Sequence, residues 1–181
     1  MIHRRSAVLH KLFLKLAFIV LLLLPAGAAY ATSSFTAGIG GIFYRYETGF
    51  LSTEVAYLHE LDDTLEVSIG PSFGITTREE DGSVEPQFLI PVNLGLNFLF
   101  PGDSATFLFG TGLTPVFHIN PSDDADSEFL LGPYAKTGFR IPVHEIMSWD
   151  VSLQQDLLIG GDEWINTATR VHTGITFSIP D

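Results

Sequence analysis

Residues 87–100 read Gln-Phe-Leu-Ile-Pro-Val-Asn-Leu-Gly-Leu-Asn-Phe-Leu-Phe and run into Pro101-Gly102-Asp103-Ser104. Every even position, Phe88, Ile90, Val92, Leu94, Leu96, Phe98 and Phe100, is bulky and apolar, whereas the odd positions include Gln87, Asn93, Gly95 and Asn97. Successive side chains of a strand point to opposite faces, so this period of two predicts one long strand with an oily face and a small, polar face. A helix would set Asn93 and Asn97 among the apolar residues and carry Pro91 in its interior. Beyond the turn, residues 106–120 repeat the pattern, with Phe107, Phe109, Leu113, Phe117 and Ile119 against Gly110, Gly112, Thr114 and His118. With 101–104 as the turn, Phe98 is expected opposite Phe107 and Leu96 opposite Phe109, all on the oily face.

The same alternation predicts further strands over 35–46, 53–61, 65–77, 129–141, 149–159 and 167–179. In the first, Phe43, Tyr44, Arg45 and Tyr46 leave the parity open, and Gly40-Gly41 suggests a bulge. Asp62-Asp63 and 142–148 make short connections, while 78–83 and 120–126 are acidic segments expected to be loops. Eight long strands with alternating short and acidic connections predict an all-β fold, an eight-stranded antiparallel up-and-down barrel.

The N-terminus has a different character. Arg4, Arg5, Lys11 and Lys15 precede an apolar run over 16–24, and Ala29-Tyr30-Ala31 forms a small-residue cleavage site. This predicts a cleaved signal peptide at 1–31 and a barrel domain at 32–181; the apolar run is shorter than the ~20 residues of a spanning helix. Residues 1–31 hold four of the nine basic residues and none of the 21 acidic ones, which leaves five basic residues and a formal charge of −16 on 32–181. Nucleic acid is thereby disfavoured as a partner, since phosphate contacts need clustered Lys and Arg. There is no cysteine, so neither disulfides nor thiolate metal sites contribute.

Volume decides which face is the inside. An eight-stranded barrel has an interior only just wide enough to be filled by side chains, and the oily set is too large for it. The glycine, serine, threonine and charged set fits. Strand length agrees, because about 9–11 tilted residues cross a hydrocarbon core. The oily face is therefore expected to meet lipid, making the barrel transmembrane.

In this pattern of strands, turns and acidic connections, residues 32–181 resemble the small outer-membrane barrels of Gram-negative bacteria, the eight-stranded type that includes the OmpA membrane domain and OmpX. The resemblance implies a location in the bacterial outer membrane, periplasmic termini and extracellular acidic loops. It also implies outer-membrane lipid and lipopolysaccharide as surroundings and the outer-membrane insertion machinery as a partner. A monomer is expected. Members of that family usually end the last strand on an aromatic residue used as an assembly signal; here Phe177 is followed by Ser178-Ile179-Pro180-Asp181.

Barrels of this size include lipid A deacylases and acyltransferases, so catalysis has to be weighed. The deacylases carry a His and a Ser two residues apart on one strand face, with a carboxylate to orient the His. None of His59, His118, His144 and His172 has a Ser at that spacing. No catalytic residue, cofactor or metal site is expected; His118 and His172 point to the lumen by parity and are read as hydrogen-bonding residues there. The acidic segments lack the spacing of a calcium loop. Two readings of function remain. One is a closed barrel with a structural or surface-interaction role. The other is a narrow pore, suggested by lumen glycines at 70, 74, 95, 110, 112, 132, 138 and 174. Charge favours closure. Taking 160–165 as the last loop puts Asp156 opposite Arg170, the preceding hairpin brings Lys136 beside Asp156, and Arg140 faces Asp150. Charges withdrawn from water are costly unless paired, so these five residues are expected to lock together as a lumen network.

Overall fold

The structure, a computed structural model, describes residues 32–80, 83–120, 127–161 and 164–179. The expected signal segment 1–31 lies outside the described residues, as do 81–82 of the first acidic segment and 121–126 of the second. Eight strands follow one another: β1 (Ser33–Tyr44), β2 (Thr48–Asp62), β3 (Leu65–Glu80), β4 (Ser83–Pro101), β5 (Thr106–Ile119), β6 (Glu128–His144), β7 (Met147–Ile159) and β8 (Ile165–Ile179). Each pairs antiparallel with its neighbour and β8 closes on β1, giving one closed barrel. Closure leaves no sheet edge along the wall, the condition for placing a sheet in lipid. Ser33 pairs with Ile179, so both termini of the barrel lie at one end, here called the terminal end; the opposite end is distal.

The alternation read from residues 87–100 holds around the wall. Phe98 and Phe100 face outward and exposed, while Gln87, Leu89, Asn93, Asn97 and Leu99 are buried inside. The open parity of β1 resolves with Phe35, Ile39 and Phe43 outward and Ile42 and Tyr44 inward. No bulge interrupts β1 at Gly41; the register shifts occur at Glu60/Asp62 and Pro142/His144.

The strands are longer than expected. The acidic segment 78–83 is mostly strand, with Arg78 opposite Glu85 and Glu80 opposite Ser83. The expected connection 142–148 shrinks to the turn at 145–146 between β6 and β7. Extending a strand gives backbone N–H and C=O groups partners, whereas composition suggested only a polar surface. The β4–β5 register also differs by one pair from the expectation. Phe98 faces Phe109 and Phe100 faces Phe107, because Pro101 stays in the ladder opposite Thr106 and the Gly102 N–H donates to the Ala105 carbonyl at 3.1 Å. A slip of one pair keeps parity, so both aromatic pairs remain on the outer face.

Between β2 and β3, Asp62 Oδ1 accepts from the Thr64 hydroxyl and amide, both at 2.7 Å, forming a side-chain-stabilised turn. These bonds, the hydroxyl's first, hold the Asp62 carboxyl below the usual carboxylate range.

Candidate functional site

The built interior of the barrel is its lumen, and it is filled in layers. At the distal end, Ile42, Tyr44, Phe50, Leu89, Val116, Leu130, Leu158 and Ala168 form one buried cluster. Most strands contribute one or two of these, so the cluster spans the cross-section. Expectation had made the lumen wholly polar. The correction has a simple cause: the inward parity class includes one large apolar residue near the distal end of most strands, which a face-by-face count hides.

Above this plug lies the β1–β2 turn. Arg45 (φ 53°) and Tyr46 (φ 56°) occupy the left-handed region, which costs non-glycine residues about 1–2 kcal/mol each. Arg45 compensates through its side chain. Its Nε donates to Asn166 Oδ1 at 2.6 Å, its Nη2 lies 3.3 Å from Glu128 Oε2, and its guanidinium sits 5.0 Å from the Tyr44 ring centroid. The strained turn thus folds a cation over the barrel mouth. Beneath it, His118 packs against Tyr44 and Phe50, and its Nδ1 is 3.5 Å from Glu128 Oε2. Among the described residues neither ring nitrogen of His118 has a hydrogen-bond partner, in contrast to the expectation of a hydrogen-bonded lumen histidine.

The next layer is centred on Arg170, 1% exposed. Its Nε and Nη2 donate to Asp156 Oδ2 and Oδ1 at 2.8 and 2.7 Å, and Nη2 also reaches Asn93 Oδ1 at 2.8 Å. Gln154 donates to both Asn93 and Asp156, and the Thr114 hydroxyl shares its one proton between the same two acceptors, at 3.1 and 3.2 Å. The register differs by one pair from the sequence expectation, for Asp156 faces Ala168 and Arg170 faces Gln154. The ion pair forms along the diagonal, since a guanidinium on a long stem spans that offset.

Two residues along β8 from Arg170, His172 bridges two residues of β2: its Nε2 lies 2.7 Å from Ser52 Oγ and its Nδ1 lies 3.2 Å from Glu54 Oε2. Ser72 also donates to Glu54, at 3.2 Å. This Ser–His–Glu order is that of a nucleophile, its base and an orienting carboxylate. A search for His and Ser on one strand missed it because Ser52 and His172 belong to strands separated by β1. Ser52 is only 1% exposed, however, which keeps a substrate from its hydroxyl.

Toward the terminal end, Arg140 Nη1 binds Glu66 Oε2 at 3.0 Å and Arg140 Nε binds Asp150 Oδ1 at 3.1 Å. Asn97 donates to Glu66 at 2.7 Å, and Thr176 extends the chain from Asp150 to Thr36. The Arg140–Asp150 pairing is the expected one. Glu66 lies on β3 and its partner on β6, beyond the reach of any neighbour-register argument.

Lys136 departs from expectation. It faces Gln154 in the ladder, not Asp156, and with Glu54, Asn97, Arg140, Asp150 and His172 it lines a cavity of about 30 Å³. That volume is enough to hold water beside these charged side chains. Among the described residues no group of three or more His, Cys, Asp or Glu side chains is placed to hold a metal ion. The glycines serve this filling. A Cβ at Gly95 would collide with the Tyr134 hydroxyl, and one at Gly40 with the His172 ring.

A closed barrel of eight next-neighbour antiparallel strands has counterparts among solved structures. Neisserial surface protein A (NspA) superposes with a TM-score of 0.66 at 9% identity, over 81% of this chain and 96% of that one. The fold is that of the small eight-stranded outer-membrane β-barrels. Ail, the attachment invasion locus protein of Yersinia pestis, solved with the heparin analogue sucrose octasulfate, gives 0.58 at 13% identity over 82% and 99% of the two chains. OprG of Pseudomonas aeruginosa gives 0.52 at 10% identity over 83% and 95%. No protein-family model matches the sequence, and no curated protein matches it. At these identities the likeness concerns the path of the chain around the barrel.

Proposed function

We propose that this chain is a closed, non-enzymatic barrel of the bacterial outer membrane with a structural or surface-interaction role. The observation that carries the reading is the double seal of the lumen, an apolar plug over the Arg170–Asp156 cluster. An apolar constriction resists wetting, and a paired buried charge cluster offers no free site for a passing ion. The outward Phe, Leu, Ile and Val side chains support immersion in lipid, because a soluble monomer rarely exposes so continuous an apolar surface. In this reading residues 1–31 are a cleaved signal, the termini are periplasmic and the distal end faces outward, with lipopolysaccharide around it. The protein inserts through the outer-membrane assembly machinery and acts as a monomer. The excess of acidic residues disfavours polyanions such as the sulfated ligand in the Ail structure.

Planar-bilayer recording tests closure. The wild type is expected to show no steady conductance, whereas replacing Leu89 and Leu130 together by glycine is expected to produce openings. A stable channel in the wild type would establish the pore reading instead.

A further inference from the structure

The outer wall is apolar over most of its surface, but it carries a polar cluster at the start of β1. Ser34, Ala56 and Leu58 are buried inside, so by parity Ser33, Phe35, Tyr57 and His59 lie on the outer face. Ser33 faces His59 in the ladder, next to the outward Phe35–Tyr57 pair. The Ser33 Oγ lies 2.9 Å from the Tyr57 hydroxyl and 3.3 Å from His59 Nδ1, and that hydroxyl is 3.5 Å from the same nitrogen. The Tyr57 ring stacks on the imidazole with 6.3 Å between centroids and packs on Phe35 at 5.3 Å.

These polar atoms cannot use all their protons on one another. With the His59 proton on Nε2, that N–H points away from both hydroxyls. With the proton on Nδ1, this nitrogen accepts nothing, only one hydroxyl can donate to the other, and the second O–H is left over. In either tautomer a donor remains on the outer wall, where hydrocarbon would leave it unsatisfied. Depth removes that cost. Ser33–His59 is the pair of the β1–β2 ladder at the terminal end, and Ser33 also pairs with Ile179 at the end of β8. Phe35, Tyr57 and Phe177 share the next outward level, an aromatic band of the kind that marks the boundary between acyl chains and headgroups. The spare donor therefore lies where lipid phosphates lie.

Charge selects among headgroups. On β2 the cluster is followed by Glu60, and the next turn carries Asp62 and Asp63. The five Lys and Arg residues of 32–181 are elsewhere: Arg45 and Arg78 toward the distal end, Lys136, Arg140 and Arg170 in the lumen. An anionic headgroup is repelled by this part of the rim. Phosphoethanolamine instead offers a phosphate to the donors and, a few bonds away, an ammonium to the carboxylates.

We propose that Ser33, Tyr57 and His59 form a binding site for the phosphoethanolamine headgroup of a phospholipid, with the phosphate on the hydroxyls and imidazole and the ammonium toward Asp62 and Asp63. The proposal rests on the lipid-immersed reading of the outer wall, which co-flotation of the barrel with liposomes tests separately.

The binding test uses the full barrel in detergent micelles, titrated with dioleoyl phosphatidylethanolamine or dioleoyl phosphatidylglycerol and read by native mass spectrometry. The ethanolamine lipid should bind at least about tenfold more tightly, the order of one hydrogen bond to a charged group. Tyr57→Phe combined with His59→Phe keeps the aromatic band; this variant should fold, as judged by heat-modifiable gel migration, and lose the preference. Asp62→Asn combined with Asp63→Asn should narrow the gap by strengthening binding of the glycerol lipid. A measurement on the wild type needs no variant to fold except for assignment: with isotope-labelled histidine, the ethanolamine lipid should move the ring resonance that is missing from His59→Gln and leave that of buried His172 in place. Equal affinity for the two lipids, unchanged preference in the Tyr57/His59 double variant, or an unmoved His59 resonance would overturn the proposal. A barrel that co-floats with liposomes yet shows no preference would refute this site alone, whereas one that does not co-float would refute the lipid-immersed reading beneath it.

Discussion

Arg170 clasps Asp156 along a diagonal of the β7–β8 ladder, with two hydrogen bonds of 2.7 and 2.8 Å and both side chains almost fully buried. Removing one partner strands the other charge in a site shielded from bulk solvent. Asp156→Ala is expected to destabilise the barrel by about 3–5 kcal/mol, whereas Asp156→Leu combined with Arg170→Met should recover most of the loss. Denaturant unfolding of the reconstituted protein measures both. A double variant as unstable as the single would show that the pair is not an isolated unit.

Leu89 and Leu130 are 1% and 0% exposed at the centre of the plug. Either replaced by alanine should cost about 2–5 kcal/mol in the same unfolding assay, the range for large-to-small changes in packed cores. A cost well under this would mean that the plug is loosely packed.

The lipid face should show a depth gradient. Leu94 lies mid-strand opposite Leu113, and Phe100 lies near the terminal-end rim opposite Phe107. Leu94→Arg is expected to cost about 2–4 kcal/mol and Phe100→Arg about 0–1. Equal costs at the two positions would contradict the assignment of the outer face to lipid.

Ser52 sits 2.7 Å from His172 Nε2 but is sealed inside the wall. A fluorophosphonate probe should leave the folded barrel unlabelled, and Ser52→Ala should change stability by about 0.5–1.5 kcal/mol, the net worth of one hydrogen bond. Labelling that disappears in Ser52→Ala would instead make the Ser52–His172–Glu54 relay a working nucleophile.

The Asp62 turn carries a pH signature. Because Thr64 lowers the folded-state pKa of Asp62, its contribution is complete above the unfolded value of about 3.9 and fades as pH falls through the lower folded value. Asp62→Ala should therefore be less stable than wild type at neutral pH and lose that difference in strong acid. A difference that grows on acidification would reverse the sign of this linkage.

Much of the architecture was legible in the residues. The alternation at 87–100 placed Leu94 outward and Asn93 inward without any knowledge of neighbours, because a strand's side-chain direction is a local property of its backbone. The expected Arg140–Asp150 pair was legible too, since it depends on a single hairpin register. Register read from turn composition was weaker, and it missed by one pair at Phe98–Phe109 and at Gln154–Arg170, where the ladder kept residues assigned to the turns.

The sequence by itself determined the two-faced strands, their number and the apolar character of the outer face, all of which follow from period-two alternation and volume. Only the tertiary structure decided what meets inside. Glu66 reaches Arg140 from β3 to β6, Ser52 reaches His172 from β2 to β8, and Lys136 faces Gln154 rather than Asp156. The plug is of the same kind: Ile42, Leu89, Val116, Leu130 and Leu158 are isolated apolar residues in their own strands. They become neighbours because tilted, staggered strands close on themselves and bring distant positions to one height in the lumen.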